Sequence, residues 1–361
     1  MQDRLLIGTR KGLFIMREAG GGWSLERSVF LGQPVSAVLH DTRSGILYAA
    51  LDLGHFGAKL HRSRDCGESW DEIAPPAFAK SDAKDAPSVK LIWTLEAGGD
   101  GQDGRLWAGT IPGGLFQSDD HGESWVLNEA LWNVPERARW VGGGYDEPGI
   151  HSLVVDVRDP NRLIAGVSCG GVWVSEDDGQ SWMLRADGLR SDYTPPGMAE
   201  DGAVQDPHLL VQCTGAPDSY WIQHHNGIFK STDDLASWQE IHEFGPSTFG
   251  FAVAVHPKDP DTAWFVPAIK DEYRYPVDGK FVVTRTRDGG KTAEVLTNGL
   301  PQANAYDLVY RHALAIDEGG DRLAMGSTSG GLWVTGNGGD SWQLLPERLP
   351  PVYTVRFAWV P

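Results

Sequence analysis

The chain has 361 residues, a formal net charge of −18 and three cysteines. Such a surplus of carboxylates opposes nucleic acid and anionic membrane as partners, and an odd number of cysteines at unrelated spacings (Cys66, Cys169, Cys213) excludes a disulfide framework and a cysteine zinc site. No apolar run reaches membrane-spanning length and residues 1–9 lack a signal-peptide pattern, so the expected location is cytoplasmic, without membrane contact.

In chain order, the first expected strands are residues 5–8, 12–16 and 23–26. Apolar runs then open a recurring unit at 35–38, 89–92, 152–155, 209–211, 252–255 and 313–316. Within a unit the order is constant: an apolar run, a second run, a turn, a third run, then a polar box and a short fourth strand. Fifteen Trp, forty-five Gly and twenty-two Pro suit many short strands joined by tight turns. A last opener at 352–357 has nothing after it, and the three N-terminal strands supply what it lacks. The expected fold is therefore all-β: one seven-bladed β-propeller domain over 1–361, with four-stranded antiparallel blades. The N- and C-terminal strands close the ring in one blade, which removes exposed sheet edges.

The polar box sets the period. Residues 118–125 read SDDHGESW, and copies begin at 63, 175 and 231, with weaker ones at 286 and 335. The steps between starts are 55, 57, 56, 55 and 49 residues, a spacing that marks a propeller or solenoid. Ser/Thr and Asp oxygens can accept from nearby backbone N–H groups, and Gly supplies a left-handed turn residue. This box resembles the Asp-box (bacterial neuraminidase repeat) S-x-D-x-G-x-[ST]-W. That resemblance implies a structural hairpin at the outer edge of each blade, away from any active site.

Chemistry is expected where one unit breaks the pattern of the others. His151, His208 and His312 begin three first strands at one register, and His151 and His208 each stand nine residues before a proline. They should share one height around the central channel. In the fourth unit, small residues before the turn give way to Gln223-His224-His225. Neutral imidazoles converging from several strands suit a divalent metal, zinc, iron or manganese, with His151, His208, His224 and His312 as ligands. His225, Glu147 and Asp307 are the candidate catalytic groups, acting as general acid or base or orienting ligands. The same histidines can instead bind substrate or shuttle protons without metal. Arg10, Lys11, Trp93, Tyr193, Lys270 and Arg311 fall in loops expected on that face, and a cationic, aromatic rim suits a small polar substrate.

Chains of this kind resemble sialidase-like and glycosyl-hydrolase-like propellers, which implies a hydrolase. The Phe/Tyr-Arg-Ile-Pro segment of true sialidases is missing, and a histidine ring is foreign to that mechanism. The Asp-box resemblance also extends to photosystem II assembly factors and sortilin-like receptors, which implies a non-enzymatic binding role instead. Carotenoid-cleaving oxygenases and virginiamycin-lyase-like propellers supply a fold-level analogy for histidine-bound metal. The combined expectation is a hydrolase or lyase acting on a small polar or carbohydrate-like molecule in the funnel of one face. The alternatives are a metal-free sialidase-like glycosidase and a protein-binding propeller.

Overall fold

All six boxes close in the same way, and each closure turns the third strand of its blade into the fourth. In the first box the Ser63 hydroxyl donates to Asp65 Oδ1 at 2.7 Å and accepts the Gly67 N–H at 2.7 Å. Asp65 in turn accepts the Ser69 N–H at 2.9 Å and the Ser69 hydroxyl at 2.5 Å. The weak copy at 335–342 substitutes Thr335 and Asn337 and keeps the pattern, with Asn337 Oδ1 accepting the Ser341 N–H at 3.0 Å. Cys66 and Gly67, with φ of 59° and 87°, show why the box needs a glycine: two successive left-handed residues make the turn. In the fourth blade Leu235 takes the glycine position at φ 68° and is buried beneath the hairpin.

The computed structural model describes residues 2–360, which form seven four-stranded antiparallel sheets arranged as a β-propeller. The inner strands are Val35–Asp41, Leu91–Ala97, Ile150–Val155, Pro207–Gln212, Gly250–His256, Leu314–Ile316 and Val352–Val360. The last pairs antiparallel with Gln2–Thr9, matching Leu5 to Phe357 and Ile7 to Val355, so both chain ends share one blade. Arg322 bridges the closure, donating to Asp317 of the sixth blade at 2.8 Å and to Glu18 of the closing blade at 2.9 Å. Adjacent sheets bury Val, Leu, Ile and aromatic side chains against one another. The largest buried rings, Trp107, Trp173, Trp221 and Trp264, lie within the strands. The box residues Trp70 and Trp125 are only half-buried, each laying a ring edge over its box glycine.

One irregularity recurs at the start of the inner strands. The ladder to the second strand skips a residue between Val35 and Ala37, Ile92 and Thr94, Ile150 and Ser152, and Pro207 and Leu209. The skipped residues are Ser36, Trp93, His151 and His208. Tyr353 is skipped in the closing blade and Phe251 lies in the corresponding gap of the fifth. His312 takes the equivalent place in the sixth blade, just before Ala313, whose carbonyl accepts the Gly326 N–H at 2.8 Å. A bulge frees a side chain from the alternation of the strand and re-aims it. Here it gives one such residue per blade at the mouth of the central channel. The equal register expected for His151, His208 and His312 is thus present.

Candidate functional site

The mouth of the channel opens into a cavity of about 830 Å³. Its walls come from the starts of inner strands (Ser36, Trp93, His312, Tyr353) and from loops between blades and between second and third strands (Arg10, Asp52, Tyr145, Arg274, Tyr310, Arg311). Three guanidinium groups face one carboxylate, Asp52, among the described lining residues. The described lining thus carries a local surplus of positive charge in a chain whose net charge is −18.

Arg311 dominates the wall. It is 8% exposed, and its guanidinium lies 4.9 Å from the Trp93 ring centre and 5.2 Å from that of Phe251. Among the described residues its side chain makes no ion pair or hydrogen bond, and its Nε is buried without a partner. Burial pushes its pKa down, with the nearby Asp206 charge opposing. Arg274, from the fifth-blade insertion, also lies 5.2 Å from the Phe251 ring centre and is tethered by Asp271. Cation–π contacts return part of the cost of burying a charge, not all of it.

Behind the Phe251 ring lies a second group. His208 stacks on Phe251 at 4.5 Å between centres, with the rings 13° from parallel. Its Nδ1 is 2.6 Å from the Gly250 carbonyl oxygen, and its Nε2 is 3.5 Å from Asp206 Oδ2. His225 Nδ1 reaches the same oxygen at 3.4 Å. The other oxygen, Oδ1, accepts the Ser168 hydroxyl at 3.0 Å and the Cys169 N–H at 3.1 Å. Burial alone would raise the Asp206 carboxyl, but His208, His225 and the Arg311 charge outweigh it and hold it well below its ordinary value. Burial likewise lowers His208, and it lowers His151 well below the ordinary imidazole value, with Arg311 adding to the effect.

No family model and no curated protein matches the chain. Solved structures do. A GH74 xyloglucanase from Xanthomonas campestris superposes with a TM-score of 0.64 at 19% identity, over 94% of this chain and 52% of that one. The chain spans about half that enzyme, and 38% of an ancestral GH74 enzyme that it matches with a TM-score of 0.60 at 17% identity. YCF48 bound to D1 peptide matches with a TM-score of 0.52 at 15% identity, over 92% of this chain and 85% of that one. A candidate 6-phosphogluconolactonase from Bacteroides uniformis matches with a TM-score of 0.60 at 13% identity, over 99% of both chains. At these identities the likeness is one of fold.

The residues singled out from sequence divide sharply. Arg10, Trp93, Arg311 and His312 line the cavity. His208 and His225 meet at Asp206, and the Tyr193 ring meets His225 edge-on, 4.5 Å between centres. His151 and His312 stand apart from that carboxylate. His312 Nε2 donates to the His151 carbonyl at 2.7 Å, and His151 Nδ1 is 2.9 Å from the Ser152 hydroxyl, leaving its buried Nε2 unpartnered. His224 is not free to ligate: its Nε2 faces the Asp206 N–H at 3.1 Å and its Nδ1 the Asn226 N–H at 3.0 Å. It fills a buried position opposite Pro207, where blade three has Val167 opposite Ile150. The change to Gln223 before it has a packing reason too, because its Nε2 donates to the Thr248 carbonyl of the next blade at 2.9 Å.

Four further residues sit away from the expected constellation. Glu147 pairs with Lys90, and Asp307 accepts the Ser327 hydroxyl at 2.6 Å. Lys270 pairs with Glu272 at 3.3 Å within its own exposed loop, and Lys11 lies outside the cavity lining. Sequence reasoning overlooked Asp206, Tyr145 and Phe251. Asp206 carried one available signal: it lies two residues before His208, so both belong to one strand entry. No helix of the described chain is long and apolar enough to cross a membrane.

Proposed function

We propose that the funnel binds a small anionic, carbohydrate-like molecule and that the protein acts on it as a hydrolase. The observation that carries this reading is Arg311, a buried guanidinium stacked between Trp93 and Phe251 with no paired carboxylate among the described residues. A buried charge held unpaired at a cavity wall is costly, and an incoming carboxylate or phosphate is what satisfies it, with Arg10 and Arg274 beside it. Trp93 and Tyr145 offer aromatic faces to a sugar-like ring. His312, which lines the cavity, donates Nε2–H to the His151 carbonyl, so its neutral ring keeps Nδ1 as an acceptor. Burial, aided by the Arg356 charge, lowers its pKa to about 3, which suits orienting a hydroxyl or water better than taking a proton.

Asp52, the single carboxylate among the described lining residues, speaks against the paired-carboxylate mechanism of most glycosidases. A lactone or ester of a sugar acid or sugar phosphate fits better, and the candidate 6-phosphogluconolactonase of the same fold and size supports that class. A second reading follows from the YCF48 neighbour, itself bound to a peptide: the same arginines can hold a peptide C-terminal carboxylate. Calorimetry and hydrolysis assays with sugar acids, sugar phosphates, their lactones and uncharged counterparts separate these readings. Binding and turnover of the anionic compounds alone, weakened roughly tenfold or more in Arg311→Gln, is expected for loss of a charge-assisted contact. Equal binding of neutral sugars, or unchanged affinity in the variant, would sink the proposal. Binding of free peptide carboxylates without any turnover would favour the second reading.

A further inference from the structure

We propose that Asp206, His208 and His225 form a site for one divalent metal ion of the zinc type, behind the aromatic wall of the cavity. This goes beyond the anion-binding reading and rests on different atoms.

The tautomer of His208 is the starting point. The Gly250 carbonyl can only accept, and it lies 2.6 Å from Nδ1, so the ring proton is on Nδ1. The bare Nε2 then faces Asp206 Oδ2 at 3.5 Å. A lone pair and a carboxylate oxygen held face to face in a buried site are what a cation between them would satisfy. A proton on Nε2 is a poor candidate, because a charge-assisted N–H···O bond closes to about 2.7–2.9 Å. His225 Nδ1 also stops at 3.4 Å from the same oxygen.

These separations match a metal ion. A tetrahedral ion with bonds of about 2.0–2.1 Å sets its ligand atoms roughly 3.3–3.4 Å apart. The observed 3.5 and 3.4 Å are two such edges, and the three donor atoms all lie within 4.8 Å of one another. Two imidazoles and one carboxylate suit zinc, and leave one position for water.

The surroundings are those of a ligand set held in place. The remaining His208 N–H is fixed by a backbone carbonyl, and Asp206 Oδ1 is fixed by Ser168 and the Cys169 N–H. The three ligands come from one blade, while their supports come from the blades on either side. Gly143 lies over the carboxylate, where a Cβ would stand 3.4 Å from Asp206 Oδ2 and 3.1 Å from Cys169 Sγ. The glycine closes the site without filling it. The part-exposed His225 ring, against Tyr193, leaves a way in.

The test uses the full chain purified without a histidine tag, stripped with a chelator and titrated with Zn(II) by competition and with Co(II) by visible absorbance. One ion per chain is expected, with Co(II) bands of tetrahedral intensity. Asp206→Asn and His225→Gln should abolish binding, while His312→Asn keeps it. Ser168→Ala should weaken affinity by roughly tenfold, as loss of a support to a ligand does. His225 is the decisive position because its ring is partly exposed and the variant should fold, as near-UV circular dichroism will check. No uptake by the unsubstituted protein, or undiminished uptake by folded His225→Gln, overturns the assignment. Neither readout needs a substrate, so its failure is separate from failure of the anion-binding reading.

Discussion

Replacing Arg311 by methionine should strengthen the fold while emptying the funnel of its function. The guanidinium is nearly buried and unpaired among the described residues, so its desolvation works against folding by several kcal/mol before compensation. Contacts with Trp93 and Phe251 return about 0.5–2 kcal/mol each. The Asp206 charge returns a further part. Methionine preserves the length of the side chain and its packing against both rings. The expected balance is a gain of about 1–2 kcal/mol, the usual sign when a buried charge yields to an apolar group of similar volume. Urea unfolding followed by tryptophan fluorescence measures it, as a higher midpoint with unchanged slope. Arg311→Lys should do the reverse, since it keeps the charge and loses the planar stacking. A methionine variant less stable than the parent by about 1 kcal/mol or more would show that Arg311 is a structural tie, at the scale of a lost interaction with a charged group. The inference of an anion site would fall with it.

Two further outcomes follow from the same geometry. His312 has a folded pKa of about 3 against an ordinary 6.5, so its neutral form is the one the fold accepts. Its contribution is full above pH 6.5 and is lost as pH falls toward 3, at up to about 1.4 kcal/mol per pH unit. His312→Asn should flatten the urea midpoint against pH over that window, and an unchanged profile would contradict the neutral assignment. For the tryptophans, Trp173→Ala should cost about 3–5 kcal/mol, because its ring is buried and its Nε1–H is bound to Gly170 O at 2.8 Å. The half-buried Trp125 should cost clearly less on the same denaturation curves, and equal losses would mean the boxes carry more of the core than their exposure implies.

The fold was legible because each box is a local object. Serine, aspartate and glycine at fixed offsets close the hairpin with bonds spanning four residues, so even TGNGGDSW folds as its stronger relatives do. The common register of His151 and His208 was legible for a related reason, since equal offsets from a following proline imply equal height, while His312 was aligned only by the apolar run after it. Nearness in sequence was a poor guide to nearness in the site. Glu147 and Asp307 stand close to key histidines along the chain, yet each is taken by a neighbour, Lys90 and Ser327. His224 looked like chemistry, yet both its ring nitrogens face backbone N–H groups, and a buried imidazole can accept from one of these as readily as it can hold a ligand. Asp206 was missed because it precedes the periodic part of its blade, where nothing in the other repeats marks the position.

The bulge at the head of the inner strands separates two jobs that most positions in a sheet must share. Its residue lies outside the ladder, so changing it leaves strand register untouched. Serine, tryptophan, histidine, phenylalanine and tyrosine all occupy it within this one chain. The propeller therefore carries a seven-letter address around its mouth, one letter per blade, rewritable without redesigning the ring. A library varying those positions alone would sample new specificities on a scaffold whose folding instructions are written elsewhere.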